Sequence, residues 1–284
     1  MIPPRSSPAP VISVTLPNYN YGRFLEESLL SVLNQTYPHF EILYVDDGST
    51  DNSVEIAKRL AAQDARIKPV YFEKNRGALV AHADTWSRVA GEIVYQFSSD
   101  DALSDPDFFR LGVEALGAHP HAAGFFGAAQ MISTETGADL GLMGRATPGY
   151  IAPEPFLRGF LARGFFVPGI SSLWRTSAIH AVGGYDTRLG PQTDYFINHA
   201  LPSLSGVVFS PRQFARARVS EARASFSSSA KLEDELKRLA LFSTKMRNLN
   251  PRMPTMEAEW NHWRREQAQS LFAKYAGPNA QAVG

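Results

Sequence analysis

The sequence predicts an α/β fold in which a mostly parallel sheet is flanked by helices and followed by a C-terminal helical extension. Short apolar and β-branched runs alternate with segments of helical periodicity between residues 11 and 131. This alternation is typical of βαβ units, whose strands are parallel and covered on both faces. From residue 231 onward only helical patterns occur. We therefore expect an arm at residues 1–10, an α/β domain at 11–220 and a helical extension at 221–284.

The elements of the first half follow from residue type and spacing. The predicted strands are β-branched or apolar runs at residues 11–16, 41–45, 67–72, 92–97 and 124–131. The predicted helices have apolar residues three or four positions apart, at 21–35, 54–61, 78–89 and 106–118. Pro38 closes the first helical segment, and Asp51 is the expected N-cap of the second.

The pattern weakens after residue 133. The glycine-rich segment 134–150 is predicted to be a mobile loop, residues 170–174 a strand and residues 183–186 a turn. Apolar stripes then predict two helices, with Trp260 and Trp263 packed on their own domain rather than on a membrane. The first stripe, Leu232, Leu236, Leu239 and Met246, also fits a dimer seam.

Composition narrows the possible classes of protein. The 284 residues hold 28 basic and 28 acidic side chains, and this zero net charge argues against nucleic acid as the main partner. The chain has no cysteine, which excludes disulfides, thiolate metal sites and cysteine nucleophiles. No signal peptide and no apolar run of membrane-spanning length is evident. We expect a cytoplasmic protein, with a peripheral contact at the inner face of the membrane left open.

Polar clusters follow three of the predicted strands. The first strand is followed by PNYN at 17–20, the second by DDGS at 46–49 and the fourth by SSDD at 98–101. Because ligands of parallel α/β sheets bind at the carboxyl ends of the strands, these clusters are expected to form one site. In that site Tyr19 could stack on a base, and Asp47 could accept the imide N–H of uracil or thymine. The carboxylates of residues 100 and 101 suit Mg²⁺ or Mn²⁺, which would neutralise a diphosphate.

Seven short segments carry a resemblance to a known family. They are VISVTLPNYN at 11–20, LNQTY at 33–37, EILYVDDGSTD at 41–51, NRG at 75–77, GE at 91–92, GGYD at 183–186 and TD at 193–194. In combination they resemble the family-two inverting glycosyltransferases of the GT-A fold, over roughly residues 11–220.

The resemblance implies a role for each matching residue. Pro17, Tyr19, Asp47, His82, Ser99 and Asp100 would bind the nucleotide. Asp100 and Asp101 would hold Mn²⁺ or Mg²⁺. Asp194 would be the catalytic base that takes a proton from the acceptor hydroxyl.

The sequence departs from the family pattern at three places. Ser98 replaces the first aspartate of the D-x-D motif, and His82 stands where many members have arginine. A late metal-binding histidine is also missing, and the corresponding strip carries Arg216 and Arg218 instead. Those arginines are expected to contact phosphate directly.

The function implied by the resemblance is transfer of a sugar from a UDP- or dTDP-sugar to a hydroxyl of a glycan or lipid-linked glycan, in polysaccharide biosynthesis. The alternative is a sugar-nucleotide-binding protein with weak or no turnover. A nucleotidyltransferase or a dinucleotide-dependent oxidoreductase would need a glycine-rich phosphate loop after the first strand, and residues 17–20 lack one.

Overall fold

The structure is a computed structural model that describes residues 9–220 and 231–275. The predicted arm lies almost wholly outside these ranges, as do parts of the predicted extension at 221–230 and 276–284. The proposed domain boundaries stay a prediction.

Ten strands form one sheet in the described part of the chain. In chain order they are β1 Ile12–Asn18, β2 Phe40–Asp46, β3 Ile67–Tyr71, β4 Ile93–Gln96, β5 Ala102–Leu103, β6 Gly124–Ser133, β7 Asp139–Met143, β8 Gly149–Ile151, β9 Ser172–Arg175 and β10 Val207–Val219. Each predicted strand is present, with ends shifted by a few residues.

Helices cover both sides of the sheet and make up the C-terminal region. They are α1 Gly22–Leu33, α2 Ser53–Gln63, α3 Ala78–Ser87, α4 Phe108–Ala118, α5 Pro153–Leu161, α6 Thr176–Ala181, α7 Thr193–Ser205, α8 Leu232–Leu249 and α9 Glu257–Tyr275. Short 3₁₀ segments at Gly169–Ser171 and Thr187–Gln192 precede β9 and α7.

The sheet order is β3-β2-β1-β4-β9-β6-β10-β5, with β7 added to β6 and β8 to β10. The first four strands are parallel, as predicted. Beyond β4 the sheet is mixed, because β9 enters between β4 and β6 and runs antiparallel to both. The carboxyl ends of β1, β2 and β4 therefore lie side by side, and this is the edge that carries the predicted site.

The prediction of an irregular loop at 134–150 was wrong. This segment contains β7, which pairs antiparallel with β6, and β8, which pairs antiparallel with β10. β7 is short and largely solvent-exposed, and the glycines within and around it indicated a loop rather than a strand. Gly141 and Gly144 adopt positive φ angles within and after it.

Apolar side chains fill two cores on opposite sides of the sheet. One lies under α1, α2 and α4, and the other joins α5 and α7 to the C-terminal helices. Trp260 and Trp263 are buried in the second core and stack on each other with ring centroids 5.0 Å apart. The prediction that these tryptophans pack on their own domain is confirmed. No helix in the described ranges is both long and apolar enough to span a bilayer.

Candidate functional site

The loops after β1 and β2 are joined by hydrogen bonds to a buried carboxylate. Asn18 and Asp46 are register partners in the two strands. The Asp46 carboxylate accepts hydrogen bonds from Asn18 Nδ2 at 3.0 Å, from the Tyr44 hydroxyl at 2.9 Å and from the backbone N–H of Ser49 at 2.7 Å. Asp46 is fully buried and does not reach the pocket surface. It holds the two strand ends together.

A second set of bonds orients the start of α1. Asn20 has a positive φ of 57°, and its side-chain oxygen accepts from the Thr50 N–H at 2.8 Å. Asp51 accepts from the Gly22 N–H at 2.8 Å and from the Ser53 N–H at 2.9 Å. The N-cap position is Asn52, one residue after the predicted N-cap, yet Asp51 makes the capping-type bond.

Asp47 follows β2 directly and has only 1% of its surface exposed. It lines a pocket at the carboxyl ends of β1, β2 and β4. Its two carboxylate oxygens accept the backbone N–H groups of Arg76, at 2.7 Å, and Gly77, at 2.9 Å. A carboxylate oxygen can accept more than one hydrogen bond, so Asp47 retains capacity towards a ligand. Its first structural role is to hold the loop that leads into α3.

Gly48 allows this loop to approach. It has a φ of +70°, and a Cβ there would lie 2.4 Å from the backbone carbon of Lys74. Only glycine tolerates both the backbone conformation and the contact.

The structure brings all six predicted nucleotide-binding residues to one pocket of about 560 Å³. Its lining includes six residues of the prediction: Pro17, Tyr19, Asp47, His82, Ser99 and Asp100. Tyr19 is 41% exposed at the rim, which is where a base could stack on it. Ser98 and Asn75 also line the pocket, and the sequence analysis gave Asn75 no role.

Asp101 lies apart from that lining. It is 6% exposed, and its carboxylate accepts the backbone N–H of Arg218 on β10 at 2.8 Å. Burial and the adjacent Asp100 carboxylate raise the pKa of Asp101 above its ordinary value. The geometry fits a role in fixing the turn that presents Asp100.

The expectation that Arg216 and Arg218 contact phosphate does not match their partners in this structure. Both guanidinium groups pair with Glu27 of α1, Arg216 at 2.8 Å. Arg218 also donates to the backbone carbonyl of Asp100 at 2.6 Å and stacks over Phe24. Glu27 was missed by the sequence analysis, because an acidic residue on an amphipathic helix gives no local sign of a partner far along the chain.

Asp194 is at the start of α7, outside the nucleotide pocket. Its Oδ1 accepts the backbone N–H of Tyr195 at 2.8 Å. Its other oxygen faces Gly169, where a Cβ would lie 3.9 Å away. Burial raises the pKa of the Asp194 carboxyl above its ordinary value.

Tyr185 connects Asp194 to the pocket. Its ring stacks on His82, with centroids 5.5 Å apart, and on Trp86 at 5.3 Å. Burial and the nearby Asp194 charge raise the pKa of Tyr185, and a hydrogen bond with Gln96 opposes this. The sequence indicated only a turn here, formed by two glycines with φ of +93° and +72°.

His82 is an uncharged part of the pocket wall. Burial lowers the pKa of its imidazole to about 4, so the ring is neutral at physiological pH. By itself it therefore adds no positive charge to the pocket wall. Its buried Nδ1 has no hydrogen-bond partner within residues 9–220 and 231–275.

Helix α8 holds the segment that leads to Asp194. Lys245 pairs with Asp186 at 2.7 Å, and both side chains are largely buried. Gln192 donates to Glu235 at 2.9 Å. Arg188 also pairs with Asp186, and these hydrogen bonds hold the pKa of Asp186 well below its usual range. The turn from residue 186 to residue 192 is thus fixed at both ends by α8.

The residues present fit one mode of metal binding. Among the described residues, no three His, Cys, Asp or Glu side chains cluster closely enough to hold a metal ion by themselves. In the turn after β4, Asp100 offers a carboxylate to the pocket, beside the hydroxyls of Ser98 and Ser99. Mg²⁺ commonly binds through one or two carboxylates together with substrate phosphates and water, and this donor set suits that arrangement.

Comparison with known proteins decides the family. The sequence model described as Glycosyl transferase family 2 matches residues 13–168, more than half of the chain. The chain belongs to glycosyl transferase family 2. The match covers the nucleotide pocket, and it ends before the segment that carries Tyr185 and Asp194.

Curated glycosyltransferases resemble parts of this family 2 chain. The putative teichuronic acid biosynthesis glycosyltransferase TuaG of Bacillus subtilis is 41% identical over 92 residues, 32% of this chain and 36% of the relative. GlyG of Streptococcus pneumoniae is 41% identical over 95 residues, 34% of this chain and 32% of the relative. The putative glycosyltransferase EpsE of B. subtilis is 32% identical over 178 residues, 62% of this chain and 60% of the relative. The first two alignments span about a third of each relative.

Solved structures share the fold of this family 2 chain. A complex of S. aureus TarS 1–349 with UDP-GlcNAc superposes with a TM-score of 0.73 at 17% identity, covering 96% of this chain and 76% of TarS 1–349. The mannosyltransferase PcManGT of Pyrobaculum calidifontis, in complex with GDP-Man and Mn²⁺, gives 0.58 at 18% identity, covering 95% and 76%. The predicted GT-A-type α/β fold with a helical C-terminal region is confirmed.

Proposed function

We propose that this protein transfers a sugar from a uridine or thymidine diphosphate sugar to a hydroxyl of a glycan or lipid-linked glycan, with inversion. The observation that carries the proposal is that Tyr19, Asp47 and Asp100 line one pocket although they lie on three different loops. An aromatic face, a deep hydrogen-bond acceptor and a hard oxygen ligand are what a base, its imide N–H and a metal-bound diphosphate require.

A pyrimidine fits the acceptor at the bottom of this pocket. Uracil and thymine carry an imide N–H that can donate to Asp47, whose oxygens already accept two backbone N–H groups. Those two bonds stabilise the carboxylate as an acceptor. The related structures hold UDP-GlcNAc in one case and GDP-Man in another, so these two complexes do not favour one base.

Asp194 is the proposed base. Its carboxylate takes the proton of the acceptor hydroxyl as that oxygen bonds to the anomeric carbon, and the bond from this carbon to the nucleoside diphosphate breaks on the opposite face. Because burial raises the pKa of its carboxyl, Asp194 becomes protonated, and can no longer act as a base, at a higher pH than an ordinary aspartate. As the pH is lowered, the transfer rate should therefore begin to fall at a higher pH than it would with an ordinary aspartate as the base. Asp194→Asn should keep donor binding and lose transfer by about a hundredfold or more. Normal turnover in that variant would exclude Asp194 as the base.

Asp100, with the hydroxyls of Ser98 and Ser99, is the proposed protein contribution to a Mn²⁺ or Mg²⁺ site. The cation would neutralise negative charge on the diphosphate leaving group. Arg218 and Asp101 hold the backbone of this turn, so they position Asp100 without lining the pocket.

Melting temperatures with nucleotides test the donor assignment, because a ligand that binds only the folded state must raise the melting temperature. Uridine or thymidine diphosphate with Mn²⁺ should stabilise the protein more than adenosine or guanosine diphosphate. Asp100→Ala should abolish the part of the stabilisation that depends on Mn²⁺. A larger effect of guanosine diphosphate would overturn the base assignment. Donor binding without transfer to any supplied glycan acceptor would instead support a binding protein.

A further inference from the structure

A furrow between α8 and α9 lies on the helical extension. It has a volume of about 460 Å³. Its lining contains four apolar side chains, an asparagine and two arginines, and no carboxylate: Leu236, Leu239, Ala240, Asn261, Arg264, Arg265 and Ala268.

The two arginines of the furrow differ from the basic residues of α8. All four of those residues are in ion pairs, namely Lys237 with Glu233, Arg238 with Glu235, Lys245 with Asp186 and Arg247 with Glu257. For Arg264 and Arg265, both exposed, no ion pair forms with any acid of the described ranges. The positive charge at this furrow is therefore not neutralised locally.

Apolar surface adjoins these charges. Phe272 is 51% exposed and follows Arg265 by seven positions, two turns along the same side of α9. Leu236 and Ala240 of α8 line the furrow together with the two arginines. An exposed aromatic ring beside arginines is typical of helices that lie in the membrane interface. The buried tryptophans do not contribute to this surface.

We propose that this furrow docks on a membrane surface rich in anionic phospholipid. Arg264 and Arg265 hold lipid phosphates, while Phe272 and the apolar lining enter the headgroup region. Charge complementarity favours this occupant. The furrow has an apolar lining, two arginines without ion pairs among the described residues, and no carboxylate. Anionic phospholipid offers the matching negative charge and apolar chains. The proposal does not depend on the sugar donor or the acceptor.

Flotation of the full chain with lipid vesicles tests the proposal. The protein should float with vesicles of phosphatidylcholine and phosphatidylglycerol, and not with phosphatidylcholine alone. The double variant Arg264→Gln, Arg265→Gln should lower the vesicle partition coefficient about thirtyfold. The double variant Lys237→Gln, Arg247→Gln removes the same charge from paired positions and should change the coefficient much less. Phe272→Ser should weaken binding without any change of charge.

Three results would overturn the proposal. The first is no flotation of the unmodified chain with anionic vesicles. The second is an equal loss in both double variants, which would show a general charge effect. The third is a self-association in sedimentation that Arg264→Gln, Arg265→Gln abolishes, which would assign the furrow to a second copy of the chain. Melting curves of every variant check that the fold is retained.

Discussion

The phenol ring of Tyr185 lies almost flat on the imidazole of His82, with ring centroids 5.5 Å apart and planes 15° from parallel. His82 lines the proposed nucleotide pocket, and the nearby charge of Asp194 helps to raise the pKa of Tyr185. The pair thus forms a wall between the proposed donor site and the proposed base.

Substitutions at Tyr185 should separate the effect of its stacked ring from the effect of its hydroxyl group. Tyr185→Phe keeps the stacked ring and removes the hydroxyl that bonds Gln96, so donor KM should stay near normal while kcat falls. Tyr185→Leu removes the stack on His82 and Trp86, so donor KM should rise as well. Steady-state kinetics of both variants measure the split. A rise in KM for Tyr185→Phe would contradict this division.

Gly48→Ala should distort the loop that Asp47 holds beside the pocket. The new Cβ would have to avoid the Lys74 backbone and adopt a φ of +70°, which displaces the loop held by Asp47. We expect a loss of about 1–3 kcal/mol in unfolding free energy and weaker nucleotide binding. Gly117→Ala is the control, since it lies in α4 with nothing within 4 Å of a Cβ and should be neutral or slightly stabilising. Denaturant unfolding and nucleotide titration provide both measurements, and equal effects of the two substitutions would refute the steric argument.

The buried histidine of α7 should make stability fall in acid. His199 is fully buried, and burial lowers the pKa of its imidazole to about 4. In the unfolded chain it protonates near pH 6.5, so its contribution is complete above that pH and is lost as the pH falls from about 6.5 to 4. The loss approaches about 3 kcal/mol. His199→Phe should flatten this part of the curve of unfolding free energy against pH. An unchanged slope would show that His199 titrates normally in the folded state.

Lys245→Met should loosen the turn before Asp194. It removes the ion pair that α8 makes with Asp186, so we expect a loss of about 1–3 kcal/mol in unfolding free energy and a lower kcat with little change in donor binding. Lys237→Met is the matched control on the same helix, because its pair with Glu233 is exposed and contributes little. If donor affinity fell as much as kcat, the turn would have a wider role than proposed.

The nucleotide pocket could be predicted because its residues follow parallel strands. Pro17 lies at the end of β1, Asp47 comes directly after β2 and Asp100 follows β4 by four residues, and parallel strands bring such positions to one edge whatever the rest of the fold does. The partners of Arg218 and the neighbours of Tyr185 could not be predicted in this way. They depend on β10 pairing antiparallel with β5 and on a turn packing against α3, which no local pattern specifies. The exposed strand β7 was missed for a different reason, because its glycine-rich sequence indicated a loop.

The contacts of α8 with residues 186–192 have a consequence for the effect of mutations in the C-terminal region. The residues that line the proposed nucleotide pocket all lie before residue 101, whereas the turn before the proposed base Asp194 is held by two side chains of α8, Glu235 and Lys245. A change in the extension could therefore alter how fast a bound donor reacts while leaving unchanged which donor is held.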